Sequence, residues 1–297
     1  MVEKFLYQER STSAIFLMCV AVFCFTLIDS SAKWLATAGF ISLQVTFVRY
    51  LGHFFSSIII FWPQEKSQIF NSKRPYVQIA RAVILMVGTF FNFLALKYLS
   101  LNITVAIFFA APLVVSILSI LILGEKVLLK NFFAVLVGFF GVLIIIQPGR
   151  VGFQFEMLYS LVALFCASMY FILTRVVAKV DVNSVSQIYS SGIPTLLLLP
   201  FALYYWVWPS SYYEILAMAV MGLAATSGHS FTTVAHSWAK ASTLAPVIYV
   251  QLIFMTAISW LMFDHLPTIN TIFGTIVIIL TGLYLLGLEK RSRTDLN

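Results

Sequence analysis

Long apolar runs, each about the length that crosses a bilayer, recur along almost the whole chain and restrict its fold more than any other feature. A transmembrane helix needs about 20 consecutive, mostly apolar residues. The runs that meet this length are residues 12–36, 40–62, 75–98, 101–123, 130–147, 155–178, 183–206, 211–236, 241–263 and 267–288. The sequence therefore predicts an all-α membrane protein of about ten transmembrane helices.

The composition excludes an ordinary water-soluble domain. Of 297 residues, 61% are hydrophobic and only 10% are charged, whereas a soluble domain carries about 25% charged residues. A surface with so few charges suits lipid rather than water. The net charge of +7 is attributed to membrane topology, and no nucleic-acid partner is expected.

The cysteine and histidine positions do not indicate a metal or redox site. Cys19, Cys24 and Cys166 all lie inside apolar runs, without a CxxC or Cys/His spacing. His229 and His236 are separated by about 10.5 Å along a helix axis, which is too far to share one ion with ligand bonds of about 2 Å. The sequence predicts neither a metal nor a cofactor.

The distribution of Lys and Arg predicts the orientation, because these residues are in excess in cytoplasmic loops. With the N-terminus inside, twelve of them are cytoplasmic and three lie on the opposite side. The cytoplasmic set is Lys4, Arg10, Lys66, Lys73, Arg74, Lys126, Lys130, Lys179, Lys240, Lys290, Arg291 and Arg293, and the opposite set is Lys33, Lys97 and Arg150. The prediction is a multi-pass protein of the cell (inner) membrane with both termini cytoplasmic. A monomer is the default expectation, since lipid-facing helices need no partner.

The two halves of the chain resemble each other, which predicts an internal repeat of five helices. The first span contains AVFC (21–24) and the sixth contains ALFC (163–166), and a base follows each Cys by nine residues, as Lys33 and as Arg175. At a constant offset of 140, three residues of span three recur in span eight. The pairs are Gly88 with Gly228, Phe91 with Phe231 and Ala95 with Ala235.

The repeat predicts a two-part organisation, with residues 12–147 as the first five-helix repeat and residues 155–288 as the second. Five is an odd number, so the second copy enters the membrane from the opposite side. Inverted repeats of this kind are the architecture of many alternating-access carriers, whose substrate site lies near the midplane.

Four segments follow one another in order: FTLIDSSAKWLA (25–36), LGEK (123–126) with a Gly-containing helix at 138–141, ASTLAPVIYVQLIF (241–254), and FDHLP (263–267). In this order and spacing, the chain resembles the drug/metabolite transporter superfamily, specifically its EamA-type ten-helix carriers. The resemblance implies a secondary carrier for metabolites such as amino acids, nucleotide-like compounds, vitamins or quaternary amines. One departure is Asp264-His265, where the acid of the second repeat is displaced by one place.

Charged residues inside predicted spans are the first candidates for a site, because each costs roughly 2.5–3.5 kcal/mol near the bilayer centre unless it is paired or faces a wet cavity. Asp29 of span one and Arg49 of span two lie at similar depths. They form either an ion pair or a shared substrate site, and Lys33 is the competing partner of Asp29, one helical turn away. A carboxylate at Asp29 suits a cationic amine.

Arg81 and Asn92 lie on the third span, in its inner and outer halves. Arg81 is expected either to snorkel to the cytoplasmic headgroups or to bind an anionic group at an inner gate. Asn92 either caps a neighbouring helix or contacts the substrate.

Further polar candidates lie in the second repeat. His229 is either a satisfied interhelical histidine or a group for substrate hydrogen bonding or proton handling, and Tyr170 and Gln187 complete this set. Tyr249 and Gln251 follow Pro246, which predicts a kink in the ninth span. Because two residues of separation turn a helix by about 200°, only one of the pair is expected to line a cavity, and Tyr249 is favoured.

Three classes of function remain to be compared: a carrier, a channel and an intramembrane enzyme. The inverted repeat and the intramembrane charges favour a carrier of a small organic metabolite. No filter segment indicates a channel, and no GxSxG, HExxH or paired aspartates indicate an enzyme. No nucleotide-binding motif is present, so an ion or substrate gradient is expected to drive transport, with Asp29 and His229 as the titratable candidates for coupling to protons.

Overall fold

The computed structural model describes residues 11–99, 110–125, 129–146 and 154–263, with single positions between 104 and 108 and between 269 and 284. The chain folds into a bundle of helices. They are α1 (Ser11–Thr37), α2 (Ser42–Glu65), α3 (Pro75–Tyr98), α4 (Ala111–Leu123), α5 (Leu129–Ile146), α6 (Met157–Val177), α7 (Asn183–Tyr204), α8 (Tyr212–Trp238) and α9, which comprises Ala241–Leu244, a 3-10 segment Ala245–Tyr249 and Val250–Phe263.

The predicted all-α membrane fold is confirmed, and the helix bounds lie close to the predicted spans. Within the described part of the chain, five helices are long and apolar enough to cross a membrane by length and composition. Phe16, Ile59, Leu121 and Leu196 are among the large apolar side chains exposed on the outer surface of the bundle. The start of predicted span four, the acid at Asp264 and the basic residues of both termini lie outside the described residues.

Local signals at the helix ends explain several of these bounds. The α8 helix begins with a capping box, in which the Ser211 hydroxyl accepts from the Glu214 backbone N–H and the Glu214 carboxylate accepts from the Ser211 backbone N–H. Pro75 occupies the first turn of α3, where its missing N–H removes no helical hydrogen bond. Gly124 ends α4 in the left-handed conformation, with φ of 63°, which glycine adopts without steric cost.

The helices pair in the pattern that an inverted repeat requires. The α1 helix packs along α8, and the α3 helix packs along α6, so that exchange of the two halves turns one pair into the other. The glycines of the repeat make these contacts close. A Cβ atom placed on Gly88 would lie 2.8 Å from the Cys166 Cβ, and one placed on Gly228 would lie 3.0 Å from the Cys24 Cβ. Small residues allow such close approach of membrane helices.

The two bases that follow these cysteines also occupy equivalent positions. The Lys33 ammonium donates to the backbone oxygen of Leu96 at 2.9 Å, and the Arg175 guanidinium donates to the backbone oxygen of His236. Leu96 and His236 differ by 140 in number, which is the offset of the glycine pair. The two contacts lie at opposite ends of the bundle, as antiparallel copies of one interaction.

The ninth span is interrupted where the sequence predicts a kink. The helix that starts at Ala241 changes to a 3-10 segment at Ala245–Tyr249 before α-helix resumes at Val250. Pro246 lies in the first turn of that segment and cannot donate a backbone hydrogen bond. A 3-10 stretch inside a longer helix often marks a functional hinge, and this one borders the cavity described next.

Candidate functional site

A cavity lies at the centre of the bundle, between helices of both halves of the chain. Its volume is about 110 Å³, enough for several waters at about 10–15 Å³ of the same measure each. The polar side chains of its wall are Asp29, Arg49, Thr89, Asn92, Tyr170, His229 and Gln251. The structure therefore brings together six of the nine residues that the sequence suggests, and it places Arg81, Gln187 and Tyr249 elsewhere.

Asp29 projects from α1 into the cavity, where two amides hold its carboxylate. The Asn92 amide donates to Asp29 Oδ1 at 3.2 Å, and the Gln251 amide donates to Oδ2 at 3.0 Å. Lys33, the alternative partner for Asp29, does not bind it, because the Lys33 ammonium donates to the Leu96 backbone oxygen instead. Among the described residues, Asp29 forms no ion pair within 4 Å.

Arg49 of α2 is 4% exposed and reaches the cavity from the other side. Its Nη1 donates to Thr89 Oγ1 at 3.0 Å, and its Nη2 donates to His229 Nε2 at 2.6 Å. The guanidinium also lies over the Tyr50 ring, 4.6 Å from its centroid. The Arg49 Nε is buried and has no hydrogen-bond partner among the described residues.

The partners of His229 define its tautomer. Since a guanidinium is always protonated, His229 Nε2 accepts from Arg49, and a neutral ring then carries its proton on Nδ1. That Nδ1 lies 2.8 Å from the Tyr170 hydroxyl and donates to it. The His229 ring also stacks on His53, with centroids 5.4 Å apart. Both nitrogens are occupied, so the arrangement favours a hydrogen-bonding role for His229.

Arg81 does not snorkel to the headgroups, which corrects one of the two expectations for this residue. It is fully buried, and its guanidinium is surrounded by neutral oxygen atoms. The Nε donates to Thr174 at 2.8 Å, Nη1 donates to Ser190 at 2.6 Å, and Nη2 donates to Tyr170 at 2.9 Å. Arg81 thus joins α3 to α6 and α7 behind the cavity.

Gln187 and Tyr249 also lie away from the cavity wall. The Gln187 amide contacts His53 at 3.1 Å and Thr233 at 3.2 Å. The Tyr249 hydroxyl donates to the Val135 backbone oxygen at 3.0 Å, and its ring packs on Gly138 of α5. The preference for Tyr249 over Gln251 is therefore wrong: one residue of the pair lines the cavity, and it is Gln251.

A polar network joins helices at the end of the bundle that carries Asp181, which we call the Asp181 end. Glu125, which directly follows α4, lies 3.5 Å from Arg175 of α6. The Glu125 carboxylate also accepts from the backbone N–H groups of Ala241 and Ser242 and from the Ser242 hydroxyl. Three helices are thereby tied together at the start of α9.

Sequence reasoning missed Thr89 and the role of Glu125. Thr89 and His229 differ by 140 in number, which is the offset that relates span three to span eight. The internal repeat could therefore have indicated Thr89 as the counterpart of His229. Glu125 lies within the LGEK segment, but its partners Arg175, Ala241 and Ser242 are between 50 and 117 residues away, and nothing local to the motif indicates them.

The comparisons with known proteins agree with this architecture. The sequence profile of the EamA-like transporter family matches residues 12–147 and 154–288. The chain therefore belongs to the EamA-like transporter family, within the drug/metabolite transporter superfamily. It is a multi-pass membrane transporter of small molecules rather than an enzyme.

Several curated relatives are named as metabolite transporters. An S-adenosylmethionine uptake transporter of Rickettsia prowazekii is 28% identical over 90% of this chain and 90% of its own length. A riboflavin transporter of Vibrio cholerae is 25% identical over 94% of this chain and 95% of its own. The pseudopaline exporter CntI of Pseudomonas aeruginosa is 22% identical over 94% and 97%.

A crystal structure of another protein has the same fold. It superimposes with a TM-score of 0.78, covers 94% of this chain and 98% of its own, and is 16% identical in sequence. At that identity the likeness concerns the fold alone.

Proposed function

We propose that this protein is a secondary active transporter that carries a small organic metabolite across the cytoplasmic membrane by alternating access. The observation that carries this proposal is the central cavity, whose wall takes polar side chains from both halves of the chain. Carriers with inverted repeats bind substrate between the repeats and expose it to each side in turn. The two repeats in this proposal are residues 12–147 and 155–288.

The position of Arg49 supports a site near the centre of such a motion. Its guanidinium bridges Thr89 of α3 and His229 of α8, which are counterparts in the repeat register. A group held between counterparts lies close to the internal two-fold axis. Rocking of one half against the other moves atoms near that axis least, so a bound substrate stays in place while access changes.

S-adenosylmethionine is the first substrate to test. Four of the curated relatives, all 27–28% identical, are named as uptake transporters for this compound. The described wall carries one acidic and one basic side chain, Asp29 and Arg49, together with apolar and aromatic surface. A metabolite with charged groups on an aromatic body matches these features.

Reconstitution of the purified protein in proteoliposomes tests the proposal directly. We expect saturable, counterflow-stimulated uptake of radiolabelled S-adenosylmethionine, with riboflavin measured in parallel. Counterflow distinguishes a carrier from a channel, because only a carrier exchanges internal for external substrate through one site. Uptake that does not saturate and shows no counterflow contradicts alternating access.

Asp29 is our candidate for coupling to protons, since it is the carboxylate of the described cavity wall. If protons drive transport, collapse of the pH gradient abolishes accumulation above equilibrium. Asp29→Asn should then retain at most downhill exchange that is insensitive to pH. Normal concentrative uptake by Asp29→Asn, with an unchanged pH response, contradicts coupling through this residue.

For the topology, we propose that both termini are cytoplasmic, which places the Asp181 end on the cytoplasmic side. Reporter fusions at the two ends of the chain test this orientation. Opposite locations of the two reporters contradict an even number of spans and, with it, the two five-helix repeats.

A further inference from the structure

We propose that the central cavity recognises the α-amino acid group of its substrate as a zwitterion. In this site the Asp29 carboxylate accepts from the substrate ammonium, and the Arg49 guanidinium donates to the substrate carboxylate. The inference rests on the proposed function, because it assigns the part of the transported metabolite that the protein reads.

The Asp29 carboxylate is fixed in position and still has acceptor capacity. Its two oxygens receive one amide each, from Asn92 and from Gln251, whereas an ionised carboxylate offers about four acceptor positions. The two amides come from α3 and α9, so they hold the group from both sides. The remaining lone pairs are available to a cation in the cavity.

The Arg49 guanidinium is likewise fixed and incompletely used. Thr89 and His229 each occupy one terminal nitrogen, and both partners are neutral. The Nε hydrogen has no acceptor among the described residues, although Arg49 is only 4% exposed. Nε and a terminal nitrogen of arginine together match the two oxygens of a carboxylate, so a carboxylate bound to the guanidinium would also satisfy the orphaned donor.

The two charged groups share one cavity without direct contact. Within the described residues no ion pair joins Asp29 to Arg49 at 4 Å or less, yet both line the same wall. A charge withdrawn from water is costly unless it is paired. A zwitterion supplies the missing counter-charge to both groups at once, whereas a simple cation or anion compensates one and leaves the other.

The rest of the wall is apolar and suits the remainder of such a substrate. Phe25, Phe93, Phe171 and Ile248 contribute to it, and Phe25 lies 5.0 Å from the His229 ring between centroids. An amino acid with a large, flat side chain is therefore favoured over a small polar one. The proposed ligand class is an α-amino acid with an aromatic or heteroaromatic substituent, which includes S-adenosylmethionine.

Matched ligands test the inference on the unaltered protein. Equilibrium binding to the purified full chain is measured for S-adenosylmethionine and for its decarboxylated analogue, and in the same way for L-tryptophan and tryptamine. A charge-assisted hydrogen bond corresponds to about tenfold to a hundredfold in affinity. We expect loss of the carboxylate to weaken binding by that factor in at least one pair.

Variants of Arg49 and Asp29 then assign each loss to a residue. In Arg49→Gln, the zwitterion and its decarboxylated analogue should bind within about threefold of each other, since the receptor for the carboxylate is gone. In Asp29→Asn, the discrimination against the decarboxylated analogue should persist. Replacement of the ligand's ammonium group by hydrogen should then change the binding affinity little. Ser57→Ala is the matched control on α2, because Ser57 is buried outside the cavity wall and should bind like the wild type.

The outcomes separate this inference from the proposed function. If the wild type binds the zwitterion and its decarboxylated analogue equally, or binds neither zwitterion, the amino acid site is wrong. Saturable counterflow of riboflavin in that case would still support a carrier. Conversely, discrimination that disappears in Arg49→Gln supports the site even if no vesicle uptake is measured. Should Arg49→Gln fail to fold, the wild-type pairs alone decide the carboxylate contact and Asp29→Asn decides the ammonium contact.

Discussion

Arg81 shows how this bundle accommodates a buried cation without an adjacent anion. It is among the largest fully buried side chains, and its donors end on hydroxyl and backbone oxygens of α6 and α7. Gln78 carries the connection onward, since its amide oxygen accepts from Arg81 and its nitrogen donates to Asp181. The guanidinium is therefore held by geometry that only a planar, forked group satisfies.

Replacement of Arg81 by lysine should consequently destabilise the protein although the charge is retained. Lysine has three donors on a point charge and leaves several buried oxygens unsatisfied, at about 1.5–3 kcal/mol for each lost charged hydrogen bond. We expect a clear fall in the thermal unfolding temperature of the purified protein. Arg74→Lys, at the exposed start of the same helix, is the control and should change it little. Equal stability of both variants would refute the structural role of Arg81.

Gln251 and Tyr249 offer a paired test of which face of α9 borders the cavity. Gln251→Leu removes a donor to Asp29 and should weaken substrate binding by about tenfold, the lower value for a charged hydrogen bond. Tyr249→Phe removes the bond to Val135 and should cost about 1 kcal/mol of stability with unchanged affinity. Binding constants and unfolding temperatures of the two variants provide the measurement, and a reversed pattern would contradict the assignment.

These two residues also show what the sequence could and could not predict. The separation of Tyr249 from Gln251 correctly limits the cavity to one of them. The choice between them depends on the 3-10 segment at Ala245–Tyr249, which turns by about 120° per residue instead of 100°, and on the position of α5. The partners of Arg81 on other helices were equally hidden, since they lie 89 to 152 residues away in the chain.

At the scale of elements, the helix bounds were predictable because apolar length is a local property of the chain. The predicted span 75–98 matches α3 as observed, Pro75–Tyr98. Pairing of helices is a longer-range property, and here the internal repeat supplied it. Because the repeat pairs Gly88 with Gly228, it predicts equivalent surroundings for the two residues. In the structure both make close contacts, with Cys166 and Cys24 respectively.

The close contacts between helices predict two different responses to an added methyl group. In Gly88→Ala the new Cβ would lie 2.8 Å from the Cys166 Cβ, and in Gly52→Ala it would lie 2.8 Å from the Gly222 Cα. Overpacking of this kind costs about 1–3 kcal/mol. The first variant should be partly rescued by Cys166→Gly, which removes the opposing atom.

Gly52→Ala has no such rescue, because the opposing atom belongs to the backbone. Unfolding temperatures of the single variants, of Cys166→Gly and of the double variant form a complete cycle. A double variant no more stable than the sum of its parts would contradict the contact between α3 and α6.

At the scale of the whole molecule, the network around Glu125 should favour the conformation in which the helices at the Asp181 end stay together. The Glu125 carboxylate joins the end of α4 to Arg175 and to the first residues of α9. Glu125→Gln keeps the shape of the side chain but removes its charge, so the helices at the Asp181 end should separate more often. A loss of about 1.5 kcal/mol corresponds to roughly a tenfold shift in the equilibrium.

Accessibility of an introduced cysteine measures this opening. Ala241→Cys, at a buried position next to the network, should react with a maleimide about tenfold faster when Glu125 is replaced by Gln, following the same shift. Glu214→Gln is the control, since Glu214 caps α8 at the opposite end of the bundle. Equally fast labelling of Ala241→Cys alone, with Glu125→Gln and with Glu214→Gln would show that Glu125 does not hold the helices together at this end.

The small volume of the central cavity should also limit how fast a ligand associates. At about 110 Å³ it is smaller than the roughly 300–1,000 Å³ of sites that enclose drug-sized compounds. The surrounding helices must therefore separate before a ligand of that size binds. The observed on-rate should then level off as concentration rises, at the frequency of that separation. A long residence time inside this protein would accordingly reflect reclosure behind the ligand more than the sum of its contacts.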